Sequence, residues 1–232
     1  MHARIAAALD WLGRQALPLR CLVCDEAGSD GLDLCAACHA ALPWNDAACP
    51  GCALPLPADE PAARCGACLR DPPRQAAAAA AFVYTAPVDQ LLLRFKFHQD
   101  LAAGRLLSQL MLQRVPAFAS GALLPLPLHR QRLRARGYDQ ALELARPLAR
   151  SLQCPLWRGL SRERLTAPQS DLDADARRRN VRNAFTVTAG PPTRLTVVDD
   201  VMTTGATLDA AVRALRRAGA AQVHLWVCAR VP

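Results

Sequence analysis

The chain has 232 residues, enough for one ordinary domain and a small accessory one. Its hydrophobic fraction of 52% and charged fraction of 21% lie near the globular norm, which excludes wholesale disorder. The net charge is +8, and its positive part comes almost entirely from arginine, with Lys96 the only lysine. This excess of positive charge is compatible with binding of phosphorylated ligands, nucleic acid or both. A general compositional preference for Ala and Arg would produce the same positive charge without any such ligand.

The first segment, residues 1–18, has the spacing of an amphipathic helix, with Ile5, Ala8, Leu9 and Leu12 on one face. Asp10 and Arg14 interrupt the apolar core that a signal peptide needs. No run approaches the roughly eighteen apolar residues of a membrane span. We therefore expect a cytoplasmic protein without a membrane segment.

The next segment, residues 19–72, contains eight of the ten cysteines and few large apolar residues, so a hydrophobic core cannot hold it together. In a reducing compartment this predicts metal sites rather than disulfides. The cysteines form four C-x-x-C pairs, and two such pairs complete a tetrahedral zinc site without an open position. The ligands of the two predicted structural Zn²⁺ sites are Cys21, Cys24, Cys35, Cys38, Cys49, Cys52, Cys65 and Cys68.

Sequential pairing of these motifs is the simplest arrangement, although an interleaved cross-brace satisfies the same spacing. Redox dithiols and an iron–sulfur cluster are rival uses of the thiols. His39 follows Cys38 directly and is interpreted as a bystander. Cys154 and Cys228 stand alone at predicted strands, which is typical of small buried hydrophobic residues.

From about Ala76 to the end, residues 76–232, apolar runs alternate with helical patterns, as in a parallel α/β domain. The predicted strands are Ala80–Tyr84, Ala122–Leu126, Pro155–Trp157, Ala184–Thr188, Leu195–Val198 and Val223–Cys228. The predicted helices are Pro87–Lys96, Leu101–Arg114, Tyr138–Leu152 and Thr207–Ala218. Residues 161–179 are polar and too many for a mere connector, so they predict a long functional loop, with plain disorder as the alternative.

The most informative stretch runs from Leu195 to Leu208. An apolar strand ends in Asp199 and Asp200, at the edge where open α/β sheets bind ligands. Gly205 permits a turn, and the amides from Thr203 to Thr207 can converge on an anion at the start of the following helix. Two carboxylates beside a phosphate need a partner, and ribose hydroxyls or Mg²⁺ would suit them.

Other phosphate motifs are excluded, because the chain has neither the G-x-x-x-x-G-K-[ST] of a P-loop nor the G-x-G-x-x-G of a dinucleotide fold. A simple capping loop would explain the threonines but not the paired acids. The stretch resembles the 5-phosphoribosyl-1-pyrophosphate (PRPP) signature of type I phosphoribosyltransferases, which implies that fold with a mobile hood loop. In that family the acids hold the ribose hydroxyls and the loop holds the 5′-phosphate. The implied PRPP-binding residues are Asp199, Asp200, Thr203, Thr204, Gly205, Ala206 and Thr207.

Nearly the whole chain resembles one branch, the ComF family, which joins an N-terminal double zinc ribbon to this domain. The segment from Pro125 to Ala141 matches it, as does a later one. The matching residues of the later segment are Arg164, Thr166, Gln169, Arg177, Arg178, Asn180 and Phe185. The resemblance implies anion contacts near the pyrophosphate and hood loops, for which the candidates are Arg136, Gln140, Arg164 and Lys96. A solvated basic helix start is the alternative for the first two.

The implied reaction is displacement of pyrophosphate from ribose C1 by a nitrogen nucleophile, with Mg²⁺ bound alongside PRPP. Thr203 stands where enzymes that salvage 6-oxopurines carry an acid, and no glutaminase-like nucleophile precedes the domain, so the acceptor is not readable. A non-catalytic PRPP-sensing factor is the second hypothesis. ComF relatives are associated with DNA uptake in competence, which implies single-stranded DNA and helicase-like proteins as partners. Trp44 and Trp157 are candidate stacking faces, with core positions as the alternative.

Overall fold

The computed structural model describes residues 18–57, 64–163 and 184–232. The chain divides into two compact units, Met1–Leu42 and Pro43–Pro232. The predicted amphipathic helix falls almost entirely outside the described residues, as does the loop beyond residue 163 with Arg164. Within the described ranges, no helix has the length and apolar character needed to cross a bilayer.

The first unit is organised around the first four cysteines. Residues 20–27 form a tight turn closed by the antiparallel bridge between Arg20 and Ala27. Helix α1, Ala36–Ala40, begins at Cys35, whose sulfur accepts the Cys38 amide at 3.4 Å. His39 lies in the last turn of this helix.

The second unit is built on a four-stranded parallel sheet in the order β1-β6-β5-β2. A short antiparallel pair, β3 with β4, lies outside that sheet. The strands are β1, Ala77–Val83; β2, Ala122–Pro125; β3, Leu160–Arg162; β4, Phe185–Val187; β5, Arg194–Met202; and β6, Gln222–Arg230. The central strands of the parallel sheet, β5 and β6, are almost continuously buried, as expected for a sheet covered on both faces. This confirms the predicted fold class.

The described part of the second unit also contains helices. They are α2, Gly66–Arg70; α3, Val88–Phe97; α4, Leu101–Met111, continued by the 3₁₀ turn Leu112–Arg114; α5, Arg130–Arg136; α6, Gln140–Ser151; and α7, Ala206–Arg217. Alternate residues of the strands, such as Leu195 and Val197, share one core with α7. Helices α4 and α6 pack against each other, and α6 also packs against β2 and β5.

The structure corrects several predicted elements. The predicted strand Pro155–Trp157 is a single parallel bridge between Leu156 and Leu123, because the pairing with the edge of β2 does not extend further. Strand β3 occupies the start of the predicted loop, where it pairs with β4. Strand β5 does not stop at Val198 but continues through both acids to Met202. Cys228 is buried as predicted, whereas Cys154 is only half-buried and follows α6 rather than lying in a strand.

The outer edge of β1 is covered by the chain between Pro43 and Pro50. The Asn45 amide donates to the Ala81 carbonyl at 3.0 Å, and the Val83 amide donates to the Pro43 carbonyl at 2.9 Å. Trp44 forms an isolated antiparallel β-bridge with Phe82, and their two rings are in tilted contact, with centroids 4.6 Å apart. This cover protects a strand edge that would otherwise offer unpaired backbone groups.

Candidate functional site

A cavity of about 120 Å³ lies at the carboxyl edge of the sheet. Its wall is built from the ends of β2 and β5 and from the nearest turns of the helices. The residues with side chains or backbone in it include Lys96, Pro127, Arg132, Arg136, Asp139, Gln140, Arg162, Asp199, Asp200, Thr203, Gly205, Ala206 and Thr207. Thr204 belongs to the same loop but lies outside the wall, with its side chain exposed. The structure therefore brings together most of the residues singled out from the sequence.

The acidic pair, Asp199 and Asp200, lies near the carboxyl end of strand β5. One carboxylate oxygen of Asp199 accepts the Asp200 amide at 2.9 Å, and one of Asp200 accepts the Val201 amide at 2.7 Å. Asp200 is only 7% exposed. Burial and the neighbouring charge of Asp200 raise the pKa of Asp199 well above its usual range, and Lys96 only partly opposes this. The pair is therefore poised to gain from a hydroxyl donor or a cation.

Lys96 reaches this pair from the last turn of α3. Its Nζ lies 2.8 Å from Oδ2 of Asp200. Burial lowers the pKa of Lys96, but its charge interaction and hydrogen bond with Asp200 raise it more, so the net shift is upward. The flanking aromatic residues explain the placement: Phe95 is fully buried against Tyr138, whereas Phe97 is 63% exposed beneath the Arg136 guanidinium. Helix α3 thus places the Lys96 ammonium between a buried aromatic contact at Phe95 and an exposed one at Phe97.

The loop after β5 turns sharply into α7. Gly205 has φ 76°, a left-handed conformation that favours glycine. The turn is stabilised by the hydrogen bond from the Asp209 amide to the Gly205 carbonyl, 2.8 Å. The Thr204 hydroxyl accepts the Ala206 amide at 3.5 Å. The first amides of a helix have no partner within the helix, so this loop offers donors and a positive dipole end to an anion.

Three arginines, Arg132, Arg136 and Arg162, also line the cavity. Arg136 donates to Oε1 of buried Gln140 at 2.9 Å. Arg162, only 8% exposed, lies over the Phe185 ring at 5.6 Å. Burial, together with the charge of Arg132, lowers the pKa of Arg162 to about 10. Such clustering of like charges is costly without an anion, and it indicates where one would bind.

Sequence reasoning did not assign Arg132, Arg162 or Asp139 to the site. Asp139 caps α6, with one oxygen accepting the Leu142 amide at 3.1 Å and the other the Leu128 amide at 3.5 Å. Burial raises its pKa. A signal for Arg162 was present, since Leu160 and Arg162 share the buried face of β3 while Ser161 between them is less buried. A buried arginine at such a position favours a ligand role.

The cysteines form two tetra-cysteine groups, which follow the sequential pairing. Site 1 consists of Cys21, Cys24, Cys35 and Cys38, and site 2 of Cys49, Cys52, Cys65 and Cys68. The sulfur separations of Cys24 from Cys35 and Cys38, and of Cys52 from Cys65, are 3.6 Å. Zn–S bonds of about 2.3 Å in a tetrahedron require about 3.8 Å. Each group fits one Zn²⁺, with all four positions filled by sulfur.

Two parts of the chain match known sequence families. Residues 11–69 match the profile of the Double zinc ribbon domain, and residues 139–232 match that of the Phosphoribosyl transferase domain. Two enterobacterial proteins named DNA utilization protein YhgH are similar over 207 residues, 85% of this chain and 90% of theirs. The one from Salmonella typhi is 35% identical and the one from Escherichia coli (strain K12) is 34% identical.

Competence protein F of Haemophilus influenzae is 33% identical over 181 residues, 73% of this chain and 79% of its own. The chain belongs to the ComF family. In this ComF protein, the two cysteine groups lie in the region that matches the double zinc ribbon, and the cavity residues from Asp139 onward lie in the region that matches the phosphoribosyltransferase domain.

Proposed function

We propose that this ComF protein binds PRPP in the cavity at the end of β5 and transfers the phosphoribosyl group to an acceptor with release of pyrophosphate. One observation carries the proposal. Within a single cavity, the half-buried Asp199 and the buried Asp200 share the wall with a helix-opening turn and with Arg132, Arg136 and Arg162. A ribose bearing a phosphate at C5 and a pyrophosphate at C1 has the complementary distribution of groups.

We assign a role in PRPP binding to the main polar groups of the cavity. Asp199 and Asp200 would accept hydrogen bonds from the ribose 2′- and 3′-hydroxyls, because a carboxylate is an acceptor only. The loop from Thr203 to Thr207 would bind the 5′-phosphate through backbone amides and hydroxyls. The three arginines, with Gln140 holding Arg136, would contact the pyrophosphate in forked geometry. Lys96 limits the repulsion between the acids.

In the reaction, the bond between ribose C1 and the pyrophosphate oxygen breaks and its electron pair leaves with the pyrophosphate. A bond from C1 to a nitrogen nucleophile forms, and the nitrogen loses a proton. The three arginines would stabilise the charge that develops on the leaving group. Mg²⁺ bound with PRPP would supply further positive charge, and the carboxylate oxygens are the ligands that it prefers. Zn²⁺ at sites 1 and 2 is structural, since neither site keeps an open position.

The decisive experiment is calorimetric titration of the zinc-loaded protein with PRPP and Mg²⁺, beside Asp199→Asn/Asp200→Asn. A hydrogen bond to a charged group contributes about 1.5–3 kcal/mol, so loss of both carboxylates should weaken binding by about 100-fold or more. The matched control is Asp209→Asn, on the exposed side of α7, where the carboxylate pairs with Arg213 at 3.0 Å. That variant should bind PRPP as the wild type does. Binding that survives in the double variant would overturn the assignment of the acids.

A second candidate function is a PRPP-sensing factor that binds single-stranded DNA without catalysis. It is favoured by the names of the relatives, one of which is a competence protein and the others DNA utilization proteins. Exposed Arg130 and Arg134 on α5 provide basic groups beside the cavity, and exposed Phe97 provides a stacking face. The described tryptophans serve less well, since Trp44 stacks on Phe82 and Trp157 packs against the core.

Fluorescence titration of labelled single-stranded DNA at several salt concentrations separates these functions. Phosphate contacts make affinity fall steeply with salt, and Arg130→Gln/Arg134→Gln should reduce that slope. Pyrophosphate release with a defined amine or base would favour the enzyme, whereas absence of DNA binding at low salt would sink the second candidate. Under either function we propose a cytoplasmic location, because ten cysteines without a disulfide suit a reducing compartment. We also propose a link to DNA uptake, because one relative is named a competence protein.

A further inference from the structure

The Cys49–Cys52 turn of site 2 is bound to the phosphoribosyltransferase sheet through three consecutive carbonyl groups. The Pro50 carbonyl accepts the Ala78 amide of β1 at 2.9 Å. The Gly51 carbonyl accepts the side-chain amide of Gln75 at 2.7 Å. The Cys52 carbonyl accepts Nε of Arg230, the last residue of β6, at 3.1 Å. Half of the metal site is therefore held in place by the domain that contains the cavity.

Arg230 also contacts the residue that precedes the phosphate loop. Its Nη1 donates to the Met202 carbonyl at 3.3 Å, and the Val231 amide donates to the same oxygen at 3.0 Å. Because a peptide group is planar, a fixed Met202 carbonyl also fixes the direction of the Thr203 amide, which points the opposite way. Met202 and Thr203 both line the cavity. One guanidinium thus joins the metal site to the first amide of the loop.

The chemistry of the metal site suits this arrangement. Four thiolates around Zn²⁺ carry a net charge of −2, and second-shell cations orient and stabilise such groups. Burial lowers the pKa of Arg230, while the charges of Cys52, Cys65 and Cys68 oppose this decrease. The planar fork of arginine can serve two carbonyls at once, which the single ammonium of lysine does less well.

We propose that Arg230 is a positioning residue that couples metal occupancy of site 2 to the order of the Thr203–Thr207 loop. Loss of the metal from site 2 then loosens the loop and weakens binding of a phosphoribosyl ligand. The ligand part rests on the proposed function, whereas the coupling of site 2 to the loop does not.

The test measures hydrogen exchange of a peptide covering residues 203–207 in full-length protein, together with zinc content and calorimetric PRPP affinity. Two variants approach the link from opposite ends: Arg230→Leu removes both hydrogen bonds and keeps every cysteine, and Cys68→Ser opens site 2 away from the Cys49–Cys52 turn. We expect each to accelerate exchange of the loop and to weaken PRPP binding about tenfold. Arg230→Leu should retain two zinc ions per chain, and Cys68→Ser should retain one.

The matched control is Cys38→Ser in site 1, which lies in the other compact unit. It should lose one zinc ion without changing loop exchange. If Arg230 transmits the effect, the double variant Arg230→Leu/Cys68→Ser should be no worse than the more affected single variant. Independent effects that multiply, or folded single variants with wild-type exchange, would overturn the coupling. Should the wild type bind no PRPP, the proposed function fails, and the exchange measurement still decides the coupling.

Discussion

At the residue scale, the charged groups that line the cavity interact unfavourably in the protein without ligand. Asp199 is held beside Asp200 in a buried strand end, and its pKa is raised by burial and by that neighbour. Lys96 pairs with Asp200 rather than with Asp199. A group whose pKa is raised by folding contributes stability at low pH that is lost as the pH rises through the folded-state pKa. Asp199 therefore costs stability at neutral pH, which a ligand hydroxyl or cation would recover.

Asp199→Asn should consequently stabilise the ligand-free protein while it weakens ligand binding. The asparagine has no charge to bury, so the melting temperature should rise by about 2–4 °C at pH 8, or about 1 kcal/mol in a chain of this size. The gain should shrink as the pH falls through the raised pKa of Asp199 and vanish below the ordinary Asp pKa of about 3.9, where the wild-type carboxyl is neutral in both states.

Thermal unfolding of both proteins at several pH values between about 4 and 8 provides the measurement. Asp209→Asn controls for the loss of one negative charge, since Asp209 is exposed and already paired with Arg213. Its melting temperature should lack that pH trend. A destabilised Asp199→Asn at pH 8 would mean that the carboxylate stabilises the fold.

Some residues of the site could be predicted from a local sequence motif, whereas others could not. Asp199, Asp200 and Gly205 occur in one short local motif, so their proximity follows from a strand, a turn and a helix. Lys96 and Arg162 reach the same cavity from elements far apart in the chain, and only packing decides that they meet. Lys96 was predicted from resemblance and from its aromatic neighbours, whereas Arg162 was obscured by the charged segment that follows it.

At the element scale, the position of α3 depends on a close approach to α4. A Cβ atom on Gly104 would lie 2.3 Å from Cε2 of Phe95, well inside contact distance. Phe95 is fully buried, stacks near Tyr138, and immediately precedes Lys96. The missing side chain at position 104 therefore lets α3 pack closely enough to place the ammonium at the acids.

Gly104→Ala should push Phe95 outward and displace Lys96. Overpacking of this kind costs about 1–3 kcal/mol, and PRPP affinity should fall along with the melting temperature. Gly190→Ala is the matched control, because a Cβ atom there meets nothing within 4 Å. Denaturant unfolding and calorimetry of both variants check the prediction. A Gly104→Ala protein with wild-type stability and affinity would show that α3 adjusts without moving the site.

Element prediction succeeded where apolar periodicity was strong. Helices α4, α6 and α7 have broad buried faces and were predicted within a few residues. Helix α5 was missed because it has no buried residue and consists largely of arginine, so periodicity gave no signal. It begins with His129 accepting the Gln131 amide at 3.2 Å and ends at Gly137, with φ 81°. Its existence rests on local capping rather than on a core.

At the scale of the whole molecule, the compact units do not follow the cysteine-rich composition. The sequence suggested a zinc module over residues 19–72, whereas the structure divides the chain between Leu42 and Pro43, with site 1 in the first unit and site 2 in the second. Composition could not reveal this, because each site consists of two C-x-x-C pairs, ten residues apart in site 1 and twelve in site 2. The hydrogen bonds that assign site 2 to the second unit come from β1 and β6, far along the chain.

Two truncations should therefore behave differently. A protein starting at Pro43 retains site 2 and the cover of β1, so we expect one zinc ion per chain, a cooperative unfolding transition and wild-type PRPP affinity. A protein starting at Pro73 loses the hydrogen bonds of Pro43, Asn45 and Pro50 with β1 and the stacking of Trp44 on Phe82. Each hydrogen bond contributes about 1 kcal/mol, and the ring contact of the half-buried Trp44 adds to this, which is a large share of a total stability of about 5–15 kcal/mol.

The protein starting at Pro73 should accordingly be largely unfolded or aggregated, as measured by circular dichroism, zinc content and gel filtration. This difference decides how a role of the zinc ribbon in recruiting DNA or a helicase-like partner can be tested. Deletion of residues 1–42 asks that question in a folded domain, whereas deletion through residue 70 would remove the cover of β1 and confound it. A cooperative, PRPP-binding protein starting at Pro73 would contradict the assignment of site 2 to the second unit. It would also remove the basis for a link from site 2 through Arg230 to the phosphate loop.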